Sequence, residues 1–230
     1  MESFLEHLYS SFIVEQRYML ILHGLFNTLI VTLGALVFGF VLGTLTALIR
    51  SSHHFSKRFR ILNICATCFV YILRGTPVLV QLLIMKNVIF AHLKCHSILI
   101  GIFAFGLNSS AYVSEIIRSG ILGVDVGQYE AGISLGFSSA QTLKLIIIPQ
   151  AIKNSLPSLI NEFSSLLKET AILGNIAIMD LTHAAGVIMS RTFLPLVYFV
   201  VAVIYLIIVS IVSLFLNRFQ KKLLNQHSGG

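Results

Sequence analysis

Five charged residues stand inside apolar stretches of this sequence: Arg74, Glu115, Glu162, Lys168 and Glu169. A charge at the centre of a membrane helix costs ~2.5–3.5 kcal/mol on insertion scales unless it is paired or faces water. Such residues either clasp helices together or line a polar path for a charged or zwitterionic solute, and both readings stand at this point. Glu115 and Arg118 are three apart, so an ion pair within one helix is available. Arg74 has no acid within helical reach, so an ionic partner must come from another helix, with Glu115, Glu162 and Glu169 as candidates. Asn108, Ser109, Glu115 and Glu162 are the residues expected to line a substrate pathway. Catalysis has little support. No nucleophile–base pair stands out at membrane depth, and H-E-x-x-H is absent. The phosphate loop G-x-x-x-x-G-K-[ST] is absent too, so if ATP drives this protein, another chain binds it.

The surroundings of those charges set the class. The chain has 230 residues, 56% hydrophobic and 11% charged, with a mean hydropathy of +0.90. A soluble domain carries about 25% charge, so this chain cannot cover an ordinary folded surface, and its apolar content excludes disorder. The class is an all-α integral membrane protein. The net charge of +7 reads as orientation in the bilayer and not as a nucleic-acid footprint, because the basic residues flank apolar runs. Cys65 and Cys68 form C-x-x-C, read as small packing residues of a buried helix and not as a redox or metal pair. His92, Cys95 and His96 share a turn and are read as a polar connection. Glu2 and Glu6 stand where the basic region of a cleavable signal would be.

The elements that must carry these residues are set by apolar runs of about 20 residues. Residues 19–49 form the first, free of Asp, Glu, Lys and Arg, with Gly39 and Gly43 as a G-x-x-x-G pair that permits close helix approach. The segment 50–60 holds Arg50, Lys57, Arg58 and Arg60 with no acid, which marks a cytoplasmic loop. The second span covers 61–85, with Pro77 kinking or ending a helix. The third covers 97–117. Between Arg118 and Pro157 no run is long enough to span. Asp125 and Ser138 are spaced as N-caps and Gly136 as a helix-ending residue. Two short helices joined at Gly136 are therefore expected, with Pro149 and Pro157 punctuating the next stretch of chain. A fourth helix covers 156–180, a mixed connection 181–191, and the last span 192–216, beyond which stand Arg218, Lys221 and Lys222. The expectation is five transmembrane helices, N-terminus outside and C-terminus cytoplasmic. The divisions are an external segment at 1–18, a transmembrane domain at 19–217 with a cytoplasmic loop at about 119–156, and a cytoplasmic tail at 218–230.

Four ordered motifs carry a resemblance. Residues 127–137, Gly-Gln-Tyr-Glu-Ala-Gly-Ile-Ser-Leu-Gly-Phe, and then Ile146-Ile147-Ile148-Pro149, resemble the EAA loop of bacterial ABC-importer permeases. Arg74-Gly75-Thr76-Pro77 with Val78 to Gln81 resembles the R-G-T-P-L-L-V-Q segment of polar amino-acid permeases. Residues 111–121 resemble their A-Y-x-A-E-x-x-R-G-G-I, and Leu167-Lys168-Glu169-Thr170-Ala171 resembles L-K-D-T-S. The sequence departs from these patterns at Gly132, Ser119 and Ala171, while Glu130, Gly136 and Pro149 are retained.

The resemblance implies a type I ABC importer permease fold in a multi-pass protein of the bacterial inner membrane. Its implied function is to move polar amino acids, such as basic amino acids or glutamine. The implied partners are an ABC ATPase dimer, a second permease subunit (identical or different), an extracytoplasmic amino-acid-binding protein and the lipid bilayer, without nucleic acid. This chain would bind no cofactor, and ATP and Mg would sit on the ATPase. Coupling would run through Glu130, Ala131, Gly132, Gly136 and Pro149, while Arg74, Gly75, Thr76, Pro77, Lys168 and Glu169 would be structural motif residues. A compact helix needs small residues such as Ala131 and Gly132, a turn at Gly136, and a charge such as Glu130 for a cap or partner. The alternatives are an ion-gradient-driven secondary carrier, and an intramembrane enzyme or assembly factor.

Overall fold

The structure, a computed structural model, describes residues 9–56 and 60–225. Glu2 and Glu6 of the N-terminal segment, Lys57 and Arg58 of the basic run, and the end of the tail past residue 225 lie outside the described residues. Among the described residues there are helices and no strands. They are α1 (Tyr18–Ser56), α2 (Arg60–Gly75), α3 (Val78–Ile84), α4 (Ser97–Leu122), α5 (Val126–Ser134), α6 (Ser139–Thr142), α7 (Ile148–Glu169), α8 (Leu181–Thr192) and α9 (Leu196–Asn225).

Three stretches, Ser11–Ser51, Ser97–Leu122 and Leu196–Lys222, are long and apolar enough to cross a membrane. The number rises to five if two bent pairs each count as one span, Arg60–Gly75 with Val78–Ile89 and Ser139–Ile176 with Leu181–Thr192. The five expected spans are therefore the upper reading. α9 shows why burial in a water-soluble sense does not apply. Phe199 is 73% exposed, Leu206 66% and Phe215 70%, a surface that is stable only against lipid or another apolar chain.

The described chain divides into two units. The first holds residues 9–37, Pro77–Gly106 and Ser164–Val212. Its core joins Ile21 with Leu181, Ala184, Ala185, Ile188, Val197 and Val201. The spacing of the α8 members, i, i+3, i+4 and i+7, puts them on one helical face. Residues 181–191 are thus a packed helix and not the mixed connection expected. Asp180 starts it: its side chain accepts from the backbone N–H of Thr182 at 2.7 Å and His183 at 2.9 Å, and reaches back to Gly174 N–H at 2.7 Å. Donors at a helix start have no partner inside the helix, and a carboxylate there supplies one.

The second unit holds residues 38–76 (without 57–59), Leu107–Phe163 and residues 213–225. α2 stops at Gly75 because Pro77 is extended (φ −63°, ψ 134°) and cannot donate back into the helix. The carbonyl left without that donor is Leu73, four residues earlier, and the side-chain amide of Asn108 donates to it at 3.4 Å. Of the two prolines expected to punctuate this stretch, Pro149 stands at the start of α7, while Pro157 does not break it. A wide turn at Leu143–Ile147 precedes Pro149, and Pro157 lies inside α7. A wide turn resets the hydrogen-bond ladder and is one way a helix accommodates an irregularity. Cys65 and Cys68, expected to be buried, are both exposed free thiols on α2.

Candidate functional site

Two features of the second unit carry functional geometry. The first is the segment from Ile121 to Ala151. The Asp125 side chain accepts from Gly127 N–H at 2.6 Å and opens α5; Gln128, spaced for a capping box, contributes only its backbone N–H to Asp125 O at 3.0 Å. α5 ends at Gly136, whose φ of +88° is left-handed. Gly136 N–H bonds to Ile133 O at 2.9 Å and Phe137 N–H to Gly132 O at 3.1 Å. This paired pattern is the Schellman ending, which glycine permits because it has no Cβ. Ser138 then caps α6 through a full capping box with Gln141. The second short helix expected after Gly136 is α6, and the helical run from Ser139 continues beyond it through the wide turn into α7.

A small core roots α5. Ile121, Val124, Ile147 and Ala151 are buried together, with Tyr129 and Ile146 packed on them. Gly132 is buried against the returning chain: a Cβ there would meet Thr142 Cγ2 at 2.6 Å and Oγ1 at 2.9 Å. The outer side is open. Val126 is 67% exposed and Leu135 77%, and Glu130 and Ala131 are exposed or partly so with them. Residues 132–136 also spell G-x-S-x-G. That elbow joins a strand to a helix, whereas Ser134 closes α5 and its hydroxyl donates to Glu130 O at 2.9 Å. Pro149 stands just beyond the wide turn and is exposed.

The second feature is a polar face on α4 and α2. On α4, Asn108, Tyr112, Glu115 and Ser119 stand at i, i+4, i+7 and i+11, one stripe of the helix. On α2, Thr67, Tyr71, Arg74 and Gly75 make a matching stripe. A cavity of about 540 Å³ lies between Arg50, Thr67, Val70, Tyr71, Arg74, Gly75, Tyr112 and Glu115. A second, of about 260 Å³, is bounded by Arg74, Tyr112 and Glu115 together with Ile116, Ser119, Gly120, Asn154 and Ser158. Arg74, Tyr112 and Glu115 thus border both.

Glu115 is held by two arginines. Arg50 Nη1 donates to its Oε2 at 2.8 Å, Arg118 Nε to the same oxygen at 3.2 Å, and Arg118 Nη2 to Oε1. The Glu115–Arg118 pair is the one its spacing allows. Sequence reasoning places Arg50 in a loop and misses this role; the signal is that α1 continues unbroken past it to Ser56. Arg74 takes no carboxylate. It makes no ion pair among the described residues, and its guanidinium carbon sits 5.2 Å over the ring of Tyr112, within cation–π range. Tyr112 is a second site residue that sequence reasoning misses.

Of the four residues expected along a pathway, Glu115 reaches a cavity wall. Asn108 is 4% exposed and Ser109 fully buried. The Ser109 hydroxyl donates to Glu162 at 2.8 Å, tying α4 to α7. Gly75, Thr76 and Pro77 form the end of α2, with the Thr76 hydroxyl donating to Ile72 O at 2.9 Å. Lys168 is exposed and Glu169 half-buried in the first unit.

Residues 39–225 match the family described as binding-protein-dependent transport system inner membrane component. A Rickettsia felis protein named as a putative glutamine transport system permease is 37% identical over 213 residues, covering 90% of this chain and 94% of that one. The L-cystine transport system permease TcyB of Bacillus subtilis is 36% identical over 215 residues, covering 92% and 90%. The crystal structure of an amino acid ABC transporter with histidines superposes with a TM-score of 0.82 at 39% identity, covering 92% of this chain and 98% of that chain. An inward-facing structure of the MetNI methionine ABC transporter, at 18% identity and a TM-score of 0.76, shares the fold. The match over most of the length, the apolar helices and the type I importer permease fold have one consequence: this chain belongs to the binding-protein-dependent transport family, as a multi-pass permease subunit of the bacterial inner membrane.

Proposed function

We propose that the chain is the membrane subunit of an ATP-driven importer of polar amino acids, with basic amino acids and glutamine as the leading substrates. The observation that carries this is α5: a nine-residue helix rooted by Gly132 and Tyr129, turned at Gly136, with an apolar outer surface of Val126, Ile133 and Leu135 that nothing in the described chain covers. A helix built this way fits a groove on a moving partner. That partner is an ABC ATPase dimer, which holds ATP and Mg; this chain needs neither. Glu130, Ala131, Gly132 and Gly136 form the coupling helix and its turn, and Pro149 the start of the arm that returns into the membrane.

The remaining assignments rest on this role. The N-terminal segment 1–18 faces outside. The transmembrane domain is 19–217, its coupling loop at about 119–156 is cytoplasmic, and so is the tail 218–230. The charge pattern supports this orientation, because Arg50, Lys57, Arg58 and Arg60, and then Arg218, Lys221 and Lys222, belong inside. A second permease subunit, a copy of this chain or a relative, completes the pathway, and an extracytoplasmic binding protein delivers the amino acid. Glu115 borders the passage, while Asn108, Ser109 and Glu162 hold its wall. Arg74, Gly75, Thr76 and Pro77 at the end of α2, and Lys168 and Glu169 in the first unit, are structural motif residues.

The test is reconstitution. Proteoliposomes with the permease, its ATPase and its binding protein should accumulate labelled L-glutamine, L-arginine or L-histidine only when ATP is on the ATPase side. Uptake by the permease alone under a proton or sodium gradient, with no need for ATP, would instead establish the secondary-carrier reading.

A further inference from the structure

We infer that Arg74 receives the α-carboxylate of the amino acid passing through this subunit. The inference rests on the reading of the chain as an amino-acid permease and goes one step further, to the atom pair that recognises the substrate. It starts from the charges on the cavity walls. Glu115 is the one carboxylate there, and both its oxygens are engaged: Oε2 by Arg50 at 2.8 Å and by Arg118 at 3.2 Å, Oε1 by Arg118. Arg50 and Arg74 line these walls with Glu115, and Arg118, which lines neither cavity, engages the same carboxylate, so the wall carries an excess of positive charge. The acid that sequence spacing offered to a cationic solute is already neutralised from within the chain, so the wall attracts an anion.

Arg74 is the group placed to meet that anion. Arg50 and Arg118 point at Glu115. Arg74 is exposed, borders both cavities, and makes no ion pair among the described residues. The Tyr112 ring beneath it, 5.2 Å from the guanidinium carbon, supports the cation by its face. A guanidinium binds acceptors in its own plane through a fork of N–H donors that fits a carboxylate with two parallel bonds. The contact with a ring face supplies no carboxylate oxygen, so the fork has no anionic acceptor among the described residues. In a chain this apolar, a guanidinium without a carboxylate is accommodated where it faces water, and the two cavities beside Arg74 provide such a place. The larger cavity, about 540 Å³, is within the ~300–1,000 Å³ typical of small-molecule sites.

Chemistry selects the anion. Every amino acid carries an α-carboxylate whatever its side chain, so a site at Arg74 serves glutamine and arginine alike. It leaves the hydroxyl and amide groups of Thr67, Ser119 and Asn154 to face the amine and the side chain. Selectivity for the amino-acid class and selectivity within the class then reside in different residues.

The experiment measures direct binding to the purified permease–ATPase complex without its binding protein, by isothermal titration. The probes are L-glutamine and L-arginine with their α-amides, L-glutaminamide and L-argininamide. The unaltered complex should bind the free acids at least tenfold tighter than the amides. Arg74→Gln should lose that discrimination while binding the amides as before, and Arg74→Lys should keep part of it, because charge remains but the fork is gone. Size-exclusion chromatography verifies that each variant complex assembles; if Arg74→Gln does not, Arg74→Lys alone decides, since unchanged acid affinity and discrimination there overturn the inference. Wild-type acid affinity and discrimination in Arg74→Gln overturn it while leaving the permease reading intact. If the unaltered complex binds neither acid and no ATP-driven amino-acid uptake occurs in proteoliposomes, both fall together. If such uptake occurs without discrimination between acid and amide, the inference alone is overturned.

Discussion

The Glu115 carboxylate holds the guanidinium of Arg50, 65 positions earlier in the chain, at 2.8 Å, and holds Arg118 on its own helix as well. One acid thus fixes the end of α1 to α4. A carboxylate that answers two cations is worth more as a connector than as a free ligand. Its loss leaves two charges partly buried without a counter-charge.

Glu115→Gln should therefore lower the stability of the detergent-solubilised protein by about 2 kcal/mol, within the range for hydrogen bonds to charged groups. In the Glu115→Gln background, Arg50→Ala should cost less than in the natural chain, with a coupling energy of about 1 kcal/mol or more. Thermal unfolding of the four proteins in the cycle checks this. Additive losses would mean that the pair does not act as a unit.

Gly132 and Thr142 share one space. A Cβ on Gly132 would lie 2.6 Å from Thr142 Cγ2 and 3.1 Å from Ile146 Cδ1. Gly132→Ala should push α5 outward, at a cost of about 1–3 kcal/mol for overpacking, and lower ATP-driven uptake. Thr142→Ala removes both nearest atoms, so Gly132→Ala with Thr142→Ala should regain most of the uptake. A double variant no better than Gly132→Ala would contradict this geometry.

Gly136 offers a cleaner separation of causes. Nothing lies within 4 Å of a Cβ built there, yet its φ is +88°. Substitution therefore strains the backbone without a clash. Gly136→Asn should be the mildest change and Gly136→Val the most severe, since a β-branched residue tolerates positive φ worst. Membrane insertion should be normal in both, with uptake falling in that order. Equal effects of the two would point to lost contacts instead of strain.

Asp180 supports three backbone donors at once. Asp180→Ala removes the cap of α8 and leaves the partly buried Gly174 N–H without its acceptor. The expected loss is about 2 kcal/mol or somewhat more, a cap of about 1 kcal/mol with a desolvation cost added. Asp180→Asn retains the acceptor and should recover part of it. The unfolding midpoint of both variants measures the difference.

The features legible in the sequence were local. The Asp125 cap, the Ser138–Gln141 box, the turn at Gly136 and the Glu115–Arg118 pair depend on residues within four positions of each other, where helical geometry leaves few choices. The hidden features were long-range or conditional. Arg50 meets Glu115 only because α1 runs on as a helix through residues that read as a basic loop. Asn108 donates to the Leu73 carbonyl, which lacks the usual i+4 backbone donor because that position is Pro77, so its role depends on a proline beyond the end of α2. Pro149 and Pro157 look like stops because a proline removes one hydrogen bond; a wide turn ahead of the first and the continuity of α7 around the second override that local rule. The apolar face of α8 is hard to see because Ala184 and Ala185 carry little hydrophobicity of their own, and their value is in close approach.

The buried knot of Ile121, Val124, Ile147 and Ala151 beneath α5 has a mechanical consequence. It joins the last turn of α4 to the arm returning through α7, and α5 is the bridge laid across both. Push the bridge, and the two helices receive the load in the same instant, as two legs of one rocker. A displacement of α5 would therefore load the helix that carries Glu115 and the helix that carries Glu162 together.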